Sequence, residues 1–239
     1  MACAAPLDAV APTKRRERRV VSVVFADLVG FTRRSESLDV EDVERFLAPY
    51  QALLGGCVEG TGGVVAKFTG DGVMAVFGGR VVHEDDPERA VRCALAIREG
   101  LAEAEGGDGE DRLRVRVGVT SGEALVSLGA GGEVDAVGDV VNTASRLESA
   151  APVDGVLVDE WTFRATSRAI RYQDVAPVEA KGKSETVAAW LALEPRSIVP
   201  EQQRDQPPLV GRDAEADALR VALDRARREP STQLVSVIG

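Results

Sequence analysis

The run Val20-Val21-Ser22-Val23-Val24-Phe25-Ala26 is continuous, β-branched and apolar, and it stops at Asp27, the pattern of a strand buried on both faces. Residues 1–19 pass from Ala and Pro to a basic run without apolar periodicity, so they read as a disordered leader, with order beginning at Val20. Val43, Phe46, Leu47, Tyr50 and Leu54 recur at helical spacing across 41–54, behind Asp39 as a candidate cap. Pro49 falls inside that stripe, where its missing N–H and its ring predict a kink or an early stop. The pairs Gly55-Gly56 and Gly62-Gly63 bracket the exit. Two strand-like runs, Val64 to Phe68 and Val73 to Phe77, then flank Thr69-Gly70-Asp71-Gly72, a hairpin with an acid at its tip.

Asp86 and Pro87 open a second helix, whose Ala90, Val91, Ala94, Leu95, Ile97 and Leu101 form an inward stripe ended by the Gly-rich acidic stretch 106–111. Residues 113–119 alternate cleanly, which predicts a strand with one wet face, and a separate strand over Glu123 to Leu128 runs into the glycine-rich loop 129–132. Residues 139–149 read as a helix, 156–158 as a strand, 160–168 as a short helix and 186–193 as a last strand. The order βαββα followed by further strands and helices predicts an α+β sandwich, its helices covering a sheet. Residues 195–208 have the composition of a linker. Beyond them, Asp213 begins an amphipathic helix and Leu234 to Ile238 reads as a buried strand, in a tail (209–239) too short for a core of its own.

Composition narrows the chemistry. A length of 239 residues at about 150 per domain corresponds to roughly 1.6 domains. Apolar residues at 44% and charged residues at 28% exclude a disordered or collagenous chain. No run approaches the ~20 apolar residues of a membrane span and no apolar signal core stands at the N-terminus, so the expectation is a cytoplasmic protein with no membrane association. Cys3, Cys57 and Cys93 are widely spaced and His83 is the one histidine, which disfavours a zinc site, a disulfide framework and histidine-dependent nucleophilic catalysis. Residues 20–194 hold 17 bases and 30 acids, and a balance of −13 repels nucleic acid. The work is left to carboxylates, Lys, Arg and metal.

Asp27 ends the first strand and Asp71 sits at the hairpin tip; if the hairpin pairs beside that strand, the two acids form a hard-oxygen site suited to magnesium. The alternatives are a strand-end cap and a turn former. Gly30, next to Phe31 and Thr32, allows close backbone approach to a phosphate. Asn142 and Arg146 are four apart on one helix face, where the guanidinium either stabilises developing phosphoryl charge or pairs with Glu148 or Asp139. Lys67 and Asp135 together offer a donor and an acceptor to a purine edge, and Lys181 and Lys183 either hold terminal phosphates or form a solvated turn.

The stretches VVFADLVGFT (23–32), KFTGDGVMAVF (67–77), VDAVGDVVNTASRLES (134–149) and KGK (181–183) resemble, in order and spacing, the catalytic domain of class III nucleotidyl cyclases, across about residues 18–194. The resemblance implies a ferredoxin-like, palm-like βαββαβ sandwich with added strands and helices. It implies conversion of ATP to cyclic AMP by two Mg²⁺ or Mn²⁺ ions bound by Asp27, Asp71 and the Leu28 carbonyl. In that reading Lys67 and Asp135 select adenine, Asn142 orients the ribose, Arg146 stabilises the transition state and Lys181 meets the terminal phosphates. Gly30, Phe31 and Thr32 form the phosphate floor. A head-to-tail homodimer builds each site from both subunits. Val137, where many relatives carry Trp, and Pro49 depart from the family pattern. A nucleotide sensor with weak turnover, regulating a larger ATPase protein, is the alternative; a diguanylate cyclase would carry GGDEF or GGEEF where this hairpin has TGDGV. The tail, from LVGRDAE to LVSVIG, resembles the opening of an AAA-type ATPase module.

Overall fold

The computed structural model describes residues 15–31, 39–104, 113–129, 131–179, 186–196 and 211–228. Thr32, Lys181, Lys183, the leader up to residue 14, the acidic stretch 106–111, most of the 195–208 linker and the strand expected at 234–238 lie outside the described residues. The chain divides into two units, Met1–Ser197 and Ile198–Gly239.

The first unit is an α+β sandwich. Its elements run β1 (Arg15–Leu28), α1 (Val40–Gly60), β2 (Val64–Thr69), β3 (Gly72–Phe77), α2 (Asp86–Ala104), β4 (Val115–Leu128), β5 (Val134–Val137), α3 (Asp139–Ala150), β6 (Gly155–Asp159), α4 (Glu160–Thr166), β7 (Ile170–Asp174), β8 (Val178–Glu179), β9 (Thr186–Val187) and β10 (Ala189–Pro195). The main sheet has the order β2-β3-β1-β4-β6-β10-β7; β5 folds back along the end of β4, and β8 pairs with β9 apart from it. All of these pairs are antiparallel except β4 with β6, the two strands joined through β5 and α3.

Strand alternation distributes the core. Val24, Ala26, Leu28, Ala75, Phe77, Val117 and Val119 face α1 and α2, whereas Val21, Val23, Met74, Val76 and Val126 face β5 and α3. Both faces of β1 from Val21 onward are therefore covered, which is why Val21 to Ala26 reads as a run apolar on both faces, broken only by Ser22.

Four expectations need correction. Order begins at Arg15, not Val20: Arg15 to Arg19 continue β1 against Leu128 to Ala124, and the Arg19 guanidinium pairs with Glu17 (2.6 Å) and donates to the carbonyls of Gly79 (3.0 Å) and Arg80 (3.2 Å). A basic run without apolar period is thus held by backbone pairing. Secondly, α1 runs through Pro49 and Gly55-Gly56 to Gly60. A proline in a helix interior costs about 3 kcal/mol, but burial of Leu47, Tyr50, Leu54 and Val58 contributes about 1.5–3 kcal/mol per side chain. The stripe outweighs the break, and Pro49 faces solvent.

Thirdly, the two strands expected at 113–119 and 123–128 are one strand, β4, and its supposedly wet face is covered by α3. Contact is so close that a Cβ on Gly118 would stand 2.2 Å from the Ala144 carbonyl oxygen and 2.4 Å from the Glu148 nitrogen. Arg114 and Arg116 made the segment look half-solvated, and only Arg114 is exposed. Finally, β5, β7 and β8 were not anticipated, each being too short or too polar to carry a strand pattern.

In the second unit, Asp213–Arg228 forms helix α5, in the segment where Asp213 was expected to start one, with Leu219 and Leu223 exposed. No described helix is long and apolar enough to cross a membrane.

Gly118→Ala is expected to drive α3 off the sheet. Because backbone atoms on both sides form the obstacle, the loss should reach or exceed the ~3 kcal/mol upper range of ordinary overpacking. Urea unfolding measures it, and a loss below about 1 kcal/mol would show that the contact is soft.

Candidate active site

Asp27 is the last but one residue of β1, directly across the ladder from Arg116 of β4, while Ala26 pairs with Val73 at the start of β3. The β2–β3 turn, with Gly70 at φ +69°, therefore brings Asp71 to the same end of the sheet as Asp27. Gly72 makes the approach feasible: a Cβ there would stand 3.1 Å from Asp27 Oδ1 and 2.9 Å from Thr69 Oγ1. The side-chain amide of Gln51 on α1 reaches the Gly70 carbonyl at 3.4 Å and ties the helix to the hairpin tip. The two acids read from the sequence are thus neighbours.

Their electrostatics are uncompensated. Burial first, and the Asp71 charge second, push the Asp27 carboxyl up to about 6, against the opposing pull of Arg116 and the Leu28 N–H. Burial also raises Asp71. Glu148 of α3 is pushed up to about 7 by burial and by the Asp27 and Asp71 charges, with Ser149 and Arg116 pulling the other way. The buried Tyr50 hydroxyl is raised by burial and then by the same three carboxylates, and it has no hydrogen-bond partner. Arg116 Nε is also buried without a partner.

A divalent cation fits this donor set. Two carboxylates facing each other at a strand end, with backbone carbonyls adjacent, are hard-oxygen ligands whose mutual repulsion a 2+ charge would cancel. Among the described residues no group of three or more His, Cys, Asp or Glu side chains is close enough to hold a metal ion together, so Asp27 and Asp71 would hold a cation with backbone oxygen and solvent completing its shell. Gly30 follows with φ +81° and open space where a side chain would project, as a phosphate floor requires. The Phe31 side chain is buried and stacks on Phe46 at 5.6 Å, anchoring the loop from the core side.

The remaining residues stand elsewhere. On α3 the buried positions are Val140, Ala144 and Leu147, so Asn142 and Arg146, two residues off Ala144 on either side, project from the opposite face. Asn142 is exposed; Arg146 is half-buried, its Nη1 shielded without a partner, and none of the described ion pairs includes it, so the pairing with Glu148 or Asp139 considered above is not formed. Lys67 on β2 and Asp135 on β5 are both exposed, on strands that pass close to one another. One chain therefore brings Asp27, Leu28, Asp71 and Gly30 together, and it sets Asn142 and Arg146 on a different surface. Arg116, Glu148 and Tyr50 were not read from the sequence as neighbours of the carboxylates. Their place beside Asp27 depends on strand register and helix seating, which leave no motif.

Residues 13–193 match the family model described as adenylate and guanylate cyclase catalytic domain. Among curated proteins, the chain is 33% identical over 175 residues to Adenylate cyclase 1 of Rhizobium meliloti (strain 1021), covering 70% of this chain and 26% of that one. It thus spans about a quarter of that relative's length. Among solved structures, the adenylyl cyclase CyaB from P. aeruginosa aligns with TM-score 0.68 at 29% identity, over 77% of this chain and 98% of that one. The guanylyl cyclase Cya2 aligns with TM-score 0.70 at 27% identity, over 77% and 96%. Relatives of both nucleotide preferences are therefore alike in fold.

The raised carboxyls have a consequence for stability. The folded state keeps protons on Asp27 and Glu148 that the unfolded chain sheds near pH 4, so their stabilising contribution is complete below that pH and is lost as pH rises through about 6 and 7. Without divalent metal, Glu148→Gln should gain stability relative to wild type as pH increases from 4.5 to 8. Thermal melting across that range tests it, and a pH-independent difference between the two proteins would contradict the shift.

Proposed function

The chain belongs to the adenylate and guanylate cyclase catalytic domain family, and from that premise we propose that it is an adenylate cyclase, converting ATP to 3′,5′-cyclic AMP and pyrophosphate at sites shared head to tail between two copies. The observation that carries this reading is the division of the site residues. The carboxylates lie at the end of β1, whereas Asn142 and Arg146 lie on the outward face of α3 with an arginine nitrogen left unpaired. A second copy supplying α3 opposite the carboxylates would complete both surfaces, and twofold symmetry would make two such sites.

In the reaction, the ribose 3′-oxygen forms a bond to the α-phosphorus as the bond to the β-phosphate oxygen breaks, the hydroxyl proton passes to solvent and pyrophosphate departs. Two Mg²⁺ or Mn²⁺ ions, held by Asp27, Asp71 and the Leu28 carbonyl, would supply the acidification of the 3′-hydroxyl and the charge neutralisation of the β- and γ-phosphates. Asn142 orients the ribose for in-line attack, and Arg146 donates to oxygens on which charge develops. Arg116, beside Asp27, adds positive charge next to the carboxylates. Lys181, outside the described residues, is assigned to the terminal phosphates with the KGK motif.

Adenine presents an acceptor at N1 and a donor at its 6-amino group, and Lys67 and Asp135 are the matching donor and acceptor; guanine reverses both positions. No histidine base is invoked, in keeping with a chain whose one histidine, His83, stands outside this site. The reaction belongs in the cytoplasm, where ATP is supplied.

Asp27→Ala and Arg146→Ala are each expected to lose at least about 100-fold in activity. Mixed in equal amounts, they should recover about a quarter of wild-type activity, since half of the dimers are mixed and each carries one intact site of two. A mixture as inactive as its components would overturn the shared site. Asp135→Ala should lower the preference for ATP over GTP by about tenfold or more, and unchanged selectivity in a paired turnover assay would remove the adenine assignment.

A further inference from the structure

Cys57 and Cys93 are far apart in the chain, and the packing of α1 on α2 brings them to one interface. The two helices run antiparallel. Toward the end of α2, a Cβ on Gly100 would stand 3.4 Å from Leu53 Cδ1 in the middle of α1. Just past the end of α1, a Cβ on Gly62 would stand 2.9 Å from Arg89 Nη1 near the start of α2. Cys57 lies between Leu53 and Gly62, and Cys93 between Arg89 and Gly100, so both fall in the same stretch of the interface. Thr61 ties them together: its hydroxyl donates to the Cys57 carbonyl at 2.7 Å and is hydrogen-bonded with the Cys93 thiol. Packed helices with axes about 8–10 Å apart bring facing Cβ atoms toward the ~4 Å that a disulfide spans.

The pair is asymmetric. Cys93 is fully buried in the core, whereas Cys57 packs against that core with part of its surface in solvent, and both are free thiols. Burial raises both; Cys93 is pushed up to about 12, with the Thr61 hydroxyl pulling the other way and the neighbouring Cys57 charge adding to the rise. Cyclisation of ATP uses neither. A reachable thiol beside a buried one is the arrangement in which a mixed disulfide formed from outside is resolved from within.

We propose that Cys57 and Cys93 form a thiol–disulfide couple, closed by a low-molecular-weight disulfide and reopened by the corresponding thiol. The Cys57 thiolate attacks one sulfur of the small disulfide and expels a thiolate, which takes up the proton that Cys57 released. The Cys93 sulfur then attacks Cys57 Sγ, and its proton passes to the second departing thiolate. Two protein thiols lose two electrons and two protons, and the small disulfide is reduced to two thiols. In a reducing compartment the pair rests open, and closure staples α1 to α2.

Incubation of the full 239-residue chain with oxidised glutathione at mildly alkaline pH, followed by digestion without reductant and mass spectrometry, tests the couple. A peptide linking Cys57 to Cys93 is expected, in wild type and in Cys3→Ser alike, and excess reduced glutathione should abolish it. The oxidised protein should melt about 5 °C or more above the reduced one, since the bridge closes a long loop. Cys93→Ala should stop at a glutathione adduct on Cys57 with no such rise, and Cys57→Ala should leave Cys93 unmodified in the folded chain. An adduct on wild-type Cys57 that never passes to Cys93, a bridge to Cys3 in its place, a link formed only in urea, or an oxidised protein melting no higher than the reduced one would each overturn the proposal. Should Cys93→Ala fail to fold by circular dichroism, the half-exposed Cys57→Ala decides, and modification of Cys93 there overturns it.

Discussion

Fourteen residues of β1 lie in unbroken antiparallel register against fourteen of β4, from Arg15 opposite Leu128 to Leu28 opposite Val115, and the rest of the molecule is arranged around that ladder. It sets Arg116 across from Asp27, seats β3 on the other side of β1 and carries α3 over Gly118. A slip of one residue would turn Asp27 from the α3 face to the apolar face under α1 and α2. Register is held by apolar residues pointing both ways from β1, and the buried Ser22–Ser121 hydrogen bond of 2.8 Å adds a polar lock in the middle.

The charge pattern of the site follows from this geometry. Asp27, Asp71 and Glu148 come from a strand end, a turn and a helix, and each is partly removed from water; the Arg116 charge opposes the shifts of Asp27 and Glu148. Such an arrangement is unfavourable for an isolated protein and favourable for one that binds cations and phosphates, whose charges alternate with those of the side chains. Asn142 and Arg146 stand on the side of α3 away from its buried residues, and one Arg146 nitrogen has no hydrogen-bond partner.

Much of the fold was legible because buried strands and amphipathic helices leave periodic traces. β1 from Val20 onward, the β2–β3 hairpin, α2 and α3 all stand where their patterns put them. The failures share a cause. Arg15 to Arg19, Pro49, and Arg114 to Gly118 are segments whose local preference opposes their role, and in each, tertiary contact prevails: a backbone ladder, a buried stripe, a helix laid on a glycine. The candidate site was legible to the extent that its residues sit in contiguous motifs. Asp27, Gly30 and Asp71 could be named from sequence, whereas the stacking of the Phe31 ring on Phe46 could not.

The order of residues alone shows which side chains are available: acids at a strand end and a hairpin tip, an amide and a guanidinium one helical turn apart, and one histidine among 239 residues. Its periodicity also determined the α+β layering, since burial of an apolar stripe or face is a local property of the chain. Which of those side chains meet is a matter of how the elements pack. Arg116, Glu148 and Tyr50 join the acids, Asn142 and Arg146 face away, and Asp86 keeps one buried oxygen unpaired at the far end of β1. Proximity between residues tens of positions apart is set by register and by how closely a helix can approach a sheet, and neither quantity is written in any single segment.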